Sequence, residues 1–382
     1  MSILIACDSF KDALPALDVC EAIGRGFRRA APDQELRIFP LADGGEGTSE
    51  ILTYHYKGQI ITCTVSDPLF RPVEARYGIS RDGETAFIEM AQASGLQLVG
   101  MSERNPLNTT SLGTGELIRD AMSQGVRRIL LGIGGSATND AGIGMATALG
   151  YRFLDNRGER VEPIGKNLIR ISRIEATEKT EDLKKITFEV ICDVNNPLFG
   201  PEGAAAVYGP QKGADAAAVE LLDTGLRHFA ETMEAFTGKK LASEAGSGAA
   251  GGLGAGAMAF LHARLRPGIE TVMDYTVFDQ VLTRASLVIT GEGKIDGQTQ
   301  RGKLIQGICQ RAGKLGIPVI ALCGTLEASP GELRRLGLVA AFSILNRPMN
   351  LAEALPQSAR LLEEAAFNVA GALFWGGKFL AK

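Results

Sequence analysis

The run SILIAC, residues 2–7, carries no charge and is short enough to be a buried strand, and it stops at the polar group Asp8-Ser9-Phe10-Lys11. The next apolar positions, Val19, Ile23 and Phe27, recur at i, i+4 and i+8, the spacing of one helix face. ELRIFPLA predicts a second strand that ends in DGGEGT, with a helix from about Thr48. The same alternation returns far along the chain. There SLVITGEG, PVIALCGT and LVAAFSIL are strand-like runs separated by helical stretches such as Lys303 to Leu315, and an amphipathic helix is expected around Gln357 to Phe374. Short apolar strands that alternate with helices imply parallel pairing through right-handed crossovers, so both ends are expected to belong to one doubly wound sheet.

Between them the texture changes. TCTVSDPLFRPVEARYGISRDGETAFIEMA alternates with period two around an Arg-Asp-Gly turn, which predicts antiparallel strands. A helix after GTGE, an apolar strand RRILLGIG, a glycine-rich turn and further mixed strands follow as far as Ala259. The fold class expected is α/β with two domains: a discontinuous domain over residues 1–66 and 284–382, interrupted by an inserted mixed domain over residues 67–283.

A chain of 382 residues exceeds the size at which one core usually stops growing, which agrees with two domains. The 47 glycines are well above the usual ~7% and should mark tight turns and close backbone approaches. A net charge of -4 argues against a general nucleic-acid or acidic-membrane surface, so any anionic ligand must be met locally. The six cysteines show no C-x-x-C spacing and read as reduced thiols. No basic segment opens the chain, and the longest uncharged run, Ala245 to Leu261, has six glycines in 17 residues, short for a membrane span. A cytoplasmic protein is expected. The three histidines lie in separate segments, which disfavours a histidine-based triad or zinc site.

Open α/β sheets bind ligands beyond the carboxyl ends of their strands, and the polar glycine-rich clusters fall there. Asp8, Ser9 and Lys11 follow the first strand; Asp43, Gly44, Gly45 and Glu46 follow the second; Gly291, Glu292, Gly293 and Lys294 follow SLVIT. Glycine lets backbone approach an oxyanion, and carboxylates beside it call for a cation such as Mg²⁺ between them and phosphate. From Gly297 the chain also reads G-x-x-x-x-G-K, but Leu304 stands where a phosphate loop needs Ser or Thr. Gly132 to Ala137 matches G-x-G-x-x-A, which would suggest a nicotinamide dinucleotide, yet no strand-end acid follows at the right distance. Ser136, Asn139 and Asp140 make that turn a candidate substrate or phosphate contact instead. CDVNNPL places Asp193 and two asparagines directly after a strand, again a candidate ligand contact.

Taken in order, DSFKDALPA, ADGGEGT, DPLFRPV, GTGE, GGSATNDAG, CDVNNPL with GPQKGA, GAAGGLGAG and GEGKIDGQT followed by GK resemble the bacterial glycerate kinase family, of the glycerate 2-kinase type, over essentially the whole chain. The resemblance implies a Rossmann- or flavodoxin-like doubly wound parallel sheet interrupted by a second mixed α/β domain. It also implies phosphorylation of glycerate with ATP and Mg²⁺, in a cleft between the two domains. On that basis Asp43, Glu46 and Glu292 are expected to hold the metal, and Lys11 and Lys303 to meet phosphate or carboxylate charge. Gly44, Gly45, Gly291, Gly293 and Lys294 are expected to contact nucleotide. Asp193 or Asp296 would accept the substrate hydroxyl proton, and both remain open. Asp8, Ser9, Arg71, Asn139, Asp140 and the turn Gly134, Gly135, Ser136 are expected to bind glycerate. Asn195 stands where the family commonly has Asp. The alternatives are a kinase giving 3-phosphoglycerate and an NAD-linked hydroxy-acid dehydrogenase; neither monomer nor homodimer is favoured.

Overall fold

The computed structural model describes residues 2–296 and 303–380, the side chains of residues 303 and 375–380 excepted. The chain is α/β and falls into two compact units, one made of Met1–Asp43 with Gly268–Lys382 and the other of Gly44–Pro267.

The first unit opens with β1 (Ser2–Ile5), the helix Ala16–Ala30 and β2 (Glu35–Ile38). The second unit then supplies β3 (Gln59–Ser66), β4 (Pro72–Ile79), β5 (Thr85–Glu89) and β6 (Arg128–Gly132). It continues with β7 (Tyr151–Leu154), β8 (Arg173–Ala176), β9 (Thr187–Ile191) and β10 (Arg264–Arg266). The chain returns to the first unit with β11 (Leu287–Ile295), β12 (Val319–Leu326) and β13 (Ala340–Ser343), and the helix Ser358–Leu380 follows.

The first unit's sheet runs β13-β12-β11-β1-β2, and every pair in it is parallel. Counted by this unit's own strands and read from the β2 edge, the order is 2-1-3-4-5, the flavodoxin-like arrangement whose switch point lies between β1 and its neighbour β11. Parallel strands are buried on both faces, which is why SILI and LVIT are continuously apolar. Ile3, Ile5, Leu287, Ile289, Ile320 and Leu322 pack under the helices Ala16–Ala30 and Ser358–Leu380, while the alternate residues Leu4 and Val288 are equally buried on the other face. The helix Ala16–Ala30 turns Val19, Cys20, Ile23 and Phe27 inward, as the spacing predicted.

The second unit has a six-stranded sheet, β10-β9-β6-β5-β4-β3, parallel from β10 to β5 and antiparallel from β5 to β3, and β7 and β8 form a separate antiparallel pair. Its core is its own and includes Tyr77, Ile88, Leu131, Val190, Phe229 and Phe260.

The boundaries lie elsewhere than at 67 and 283. Residues 44–66 go with the second unit because β3 pairs with β4 from Gln59 opposite Ile79 to Ser66 opposite Pro72. The helix Thr48–His55 also lays Thr53 on Gly78 of β4, where a methyl group would overlap the threonine hydroxyl. Residues 268–283 go with the first unit, where Arg311 of the helix Lys303–Lys314 bonds Asp274 and Asp279 at 2.9 Å each.

Candidate active site

The switch point gathers carboxylates. The Asp8 N–H donates to the Gly291 carbonyl at 3.1 Å, and the Leu41 N–H donates to the Cys7 carbonyl at 3.0 Å, so the strand ladders carry on past β1 and β2 toward Asp8 and Asp43. Glu292 lies on neighbouring β11. Burial, then the charge of Asp43, and further Glu292 push the Asp8 carboxyl up to about 7, against the opposing bond from the Ser9 N–H at 2.7 Å. Asp8 thus feels the charge of two further acids from adjacent strand ends. Lys11 is exposed on the turn that follows, where the Phe10 and Leu14 backbones bridge.

Two expectations for this edge need correction. The Gly291 to Lys294 cluster does not lie beyond the strand: β11 runs on past SLVITGEG to Ile295 because β12 is long enough to pair with it, Lys294 opposite Thr325 and Ile295 opposite Leu326. Lys294 is therefore a strand residue, and its ammonium is paired with Glu327 at 2.9 Å and Asp296 at 3.2 Å. Gly291 gives up its side-chain space to the Leu322 carbonyl of the neighbouring strand. The near phosphate-loop stretch Gly297 to Gly302 and the Lys303 side chain lie outside the described residues; the helix begins at Lys303.

In the second unit, β5, β6 and β9 end side by side and in parallel at Glu89, at the Gly132 to Ser136 turn and near Asp193. Glu89 was not singled out by the sequence. Its carboxylate accepts from the Ser49 N–H at 2.7 Å and the Gly47 N–H at 3.3 Å, closing the start of the helix Thr48–His55. Burial pushes it up to about 7 against those two bonds. Gly44 and Gly45 lie just before that helix, and Glu46 beside them is exposed.

Several candidates for ligand contact are occupied by protein. Arg71 bonds Asp67 at 2.6 Å and Glu103 at 3.0 Å, and Asp67 also accepts from the Leu69 and Arg71 N–H groups, which closes the DPLFR turn. Asp140 is fully buried and accepts from the Ser111 N–H at 2.8 Å, its hydroxyl at 2.7 Å and the Gly142 and Gly144 N–H groups at 3.2 Å each. Its carboxylate folds the loop. Asn195 is exposed, while Asn196 bonds Tyr208 at 2.7 Å and the Glu202 carbonyl at 2.8 Å. Asn139 is fully buried, and neither end of its amide has a partner.

A second residue that the sequence did not single out is Lys212 of GPQKGA. It is buried, and its Nζ donates to Ser136 Oγ and to the Thr138 carbonyl at 2.7 Å each. The order of motifs carried this segment, but nothing local distinguishes its lysine from a solvated one. The dinucleotide reading of Gly132 to Ala137 fails on geometry: that fingerprint needs a helix opening directly on the turn, and the next helix starts only at Ile143. Among the described residues no three His, Cys, Asp or Glu side chains stand close enough to form a complete metal cage.

The family model described as the glycerate kinase family matches residues 3–374. The chain belongs to the glycerate kinase family. It is 48% identical to the glycerate kinase of Halalkalibacterium halodurans, with 98% of each chain covered. It is 43% identical to the glycerate 2-kinase of Escherichia coli K12, covering 98% of this chain and 99% of that one. A crystal structure from Salmonella typhimurium LT2, provisionally described as glycerate kinase 2, superposes with a TM-score of 0.90 at 45% identity over 99% of both chains. Membership of the glycerate kinase family makes this protein a kinase. No helix among the described residues is long and apolar enough to cross a membrane.

Proposed function

We propose that the protein transfers the γ-phosphoryl group of ATP to the 2-hydroxyl of glycerate, with Mg²⁺ as the accompanying cation. The observation that carries this reading is the acidic group at the ends of β1, β2 and β11, where burial, Asp43 and Glu292 push Asp8 up to about 7. Carboxylates brought to adjacent strand ends suit a hard divalent cation, and Mg²⁺ takes only one or two of them, completing its shell with phosphate oxygens and water. That is consistent with a donor set short of a full cage. Asp43 and Glu292 would hold the ion. When bound, Mg²⁺ neutralises oxygens of the transferred group.

The remaining work is positioning, since phosphoryl transfer asks little covalent chemistry of the protein. Lys11 and Lys303 would meet phosphate charge, and Gly44, Gly45 and Gly293 would let phosphate oxygens approach backbone. The Gly134, Gly135, Ser136 turn would receive the glycerate carboxylate on its N–H groups. Arg71 and Lys294, each already paired with two carboxylates, are given no direct role. The name of the Escherichia coli relative, a glycerate 2-kinase, supports attack by the 2-hydroxyl.

The test is incubation with D-glycerate, ATP and Mg²⁺, coupled directly to enolase without phosphoglycerate mutase. A signal is expected. Silence with ADP release, relieved by added mutase, would mean 3-phosphorylation; silence without ADP would remove the kinase reading.

A further inference from the structure

Lys212 is the one buried lysine or arginine among the described residues, 2% exposed. Both of its hydrogen bonds go to neutral oxygens, Ser136 Oγ and the Thr138 carbonyl. Asp140 is the charged group that faces it, and that carboxylate is already engaged by Ser111, Gly142 and Gly144. Arg104, whose backbone packs on Gly213 beside Lys212, turns its guanidinium to the Val99 carbonyl at 3.5 Å. Asp215, on the other side, accepts the Ala218 N–H at 2.8 Å as a helix cap. Burial pushes the Lys212 ammonium down to about 7, with Asp140 opposing. Burial thus favours the neutral amine, which carries a lone pair on Nζ.

Ser136 stands in front of that amine, 8% exposed, on the turn that leaves β6. Among the described residues the N–H groups of Gly134, Gly135 and Ser136 meet no acceptor, and Gly135 is left-handed at φ 73°, the backbone form of an anion nest. Next to it the Asn139 amide and the Thr138 hydroxyl are buried with no partner. A buried amine bonded to a serine hydroxyl is the arrangement of a base and the group it activates, as in serine–lysine catalytic pairs.

We infer that Ser136 and Lys212 form the proton-accepting pair for the hydroxyl that attacks the phosphoryl group, and that this hydroxyl is the one beside the substrate's carboxylate. The inference rests on the kinase reading above and gives the pair the role that the sequence offered to Asp193 or Asp296. With the carboxylate on the nest, the hydroxyl of the adjacent carbon lies next to Ser136 Oγ, and the 3-hydroxyl is one carbon farther away. As the 2-oxygen bonds to the γ-phosphorus, its proton passes to Ser136 Oγ and the serine proton passes to Nζ. The bond from the γ-phosphorus to the β,γ-bridging oxygen breaks, and ADP leaves. Ser136 touches the substrate; Lys212 acts through it and is a positioning residue.

The experiment measures kcat, KM for glycerate and the pH profile for wild type, Ser136→Ala, Ser136→Thr and Lys212→Met, with product identified through enolase. Ser136→Ala is expected to lower kcat about 100-fold with KM within about threefold, and Ser136→Thr, which keeps a hydroxyl, to recover most of the loss. In wild type kcat should rise with pH through about 7, and this limb should vanish in Lys212→Met. Retention of kcat within about threefold in Ser136→Ala, a loss confined to KM, or an unchanged limb in Lys212→Met overturns the pair. Should Lys212→Met fail to fold by circular dichroism, the two Ser136 variants decide, because each changes the side chain by a single heavy atom. A wild-type enzyme that makes 3-phosphoglycerate overturns the pair but leaves a kinase; one that makes no phosphoglycerate removes both.

Discussion

Glu89 places a carboxylate where two backbone N–H groups at a helix start have no other acceptor, and it does so in a buried position. Its folded pKa of about 7 lies above the ordinary glutamate value, so between about 4.5 and 7 the folded protein binds more protons at this site than the unfolded chain does. The contribution of Glu89 to stability is thus full below that window and falls as pH rises through it. Urea unfolding of wild type and Glu89→Gln at pH 5 to 8 should show wild type losing stability relative to the variant as pH rises, since the amide does not titrate. A gap that stays constant with pH would contradict the buried carboxyl. At this scale the sequence was only partly legible. The strand-end acids Asp8, Asp43 and Glu292 could be found because each follows an apolar run. Glu89 and Lys212 could not, because their chemistry comes from burial, and burial depends on segments far away in the chain. The reverse error has the same origin: Asp140 and Arg71 look available until Ser111 and Glu103 arrive from elsewhere.

Elements here are held together by missing side chains as much as by those present. The stretch GAAGGLGAG is interrupted as a helix by left-handed residues Ala250 to Gly252, and there it backs onto the GGSATNDAG turn. The Ala141 N–H donates to the Gly251 carbonyl at 3.0 Å, and a methyl group on Gly251 would overlap the Thr138 carbonyl. Gly251→Ala, which also meets φ 69°, should lower stability by about 3 kcal/mol or more and displace the turn that Lys212 bonds. Gly313→Ala is the contrasting change: the site is helical, nothing lies within 4 Å of the new methyl, and a gain of about 0.5–1 kcal/mol is expected. Thermal unfolding of the two variants checks both signs. Periodicity made the helices and strands near both ends legible, since each is amphipathic or continuously apolar. It did not show that β11 continues through Lys294 to Ile295, because glycine and charge look like a loop until a partner strand is there to pair with them.

Among the described residues each unit has core residues of its own. The return of the strand–helix alternation can be read from the sequence, whereas the limits of the two units depend on the β3–β4 pairing, which no short window contains. Since the second unit is one continuous segment with its own core, residues 44–267 expressed alone should unfold in a single cooperative transition and show near-ultraviolet circular dichroism; a gradual transition would refute its independence. The first unit is differently placed. Its helix Ala16–Ala30 meets the helix Ser358–Leu380 so closely at Gly26 that a methyl group there would overlap the Glu363 carbonyl, and Arg25 and Arg29 bond Glu363 at 3.0 and 2.6 Å. On a ribosome, therefore, the first unit is begun before the second and completed after it: SILI and its helix wait with their apolar faces uncovered while residues 44–267 emerge and fold, and that waiting segment is where a chaperone has something to hold.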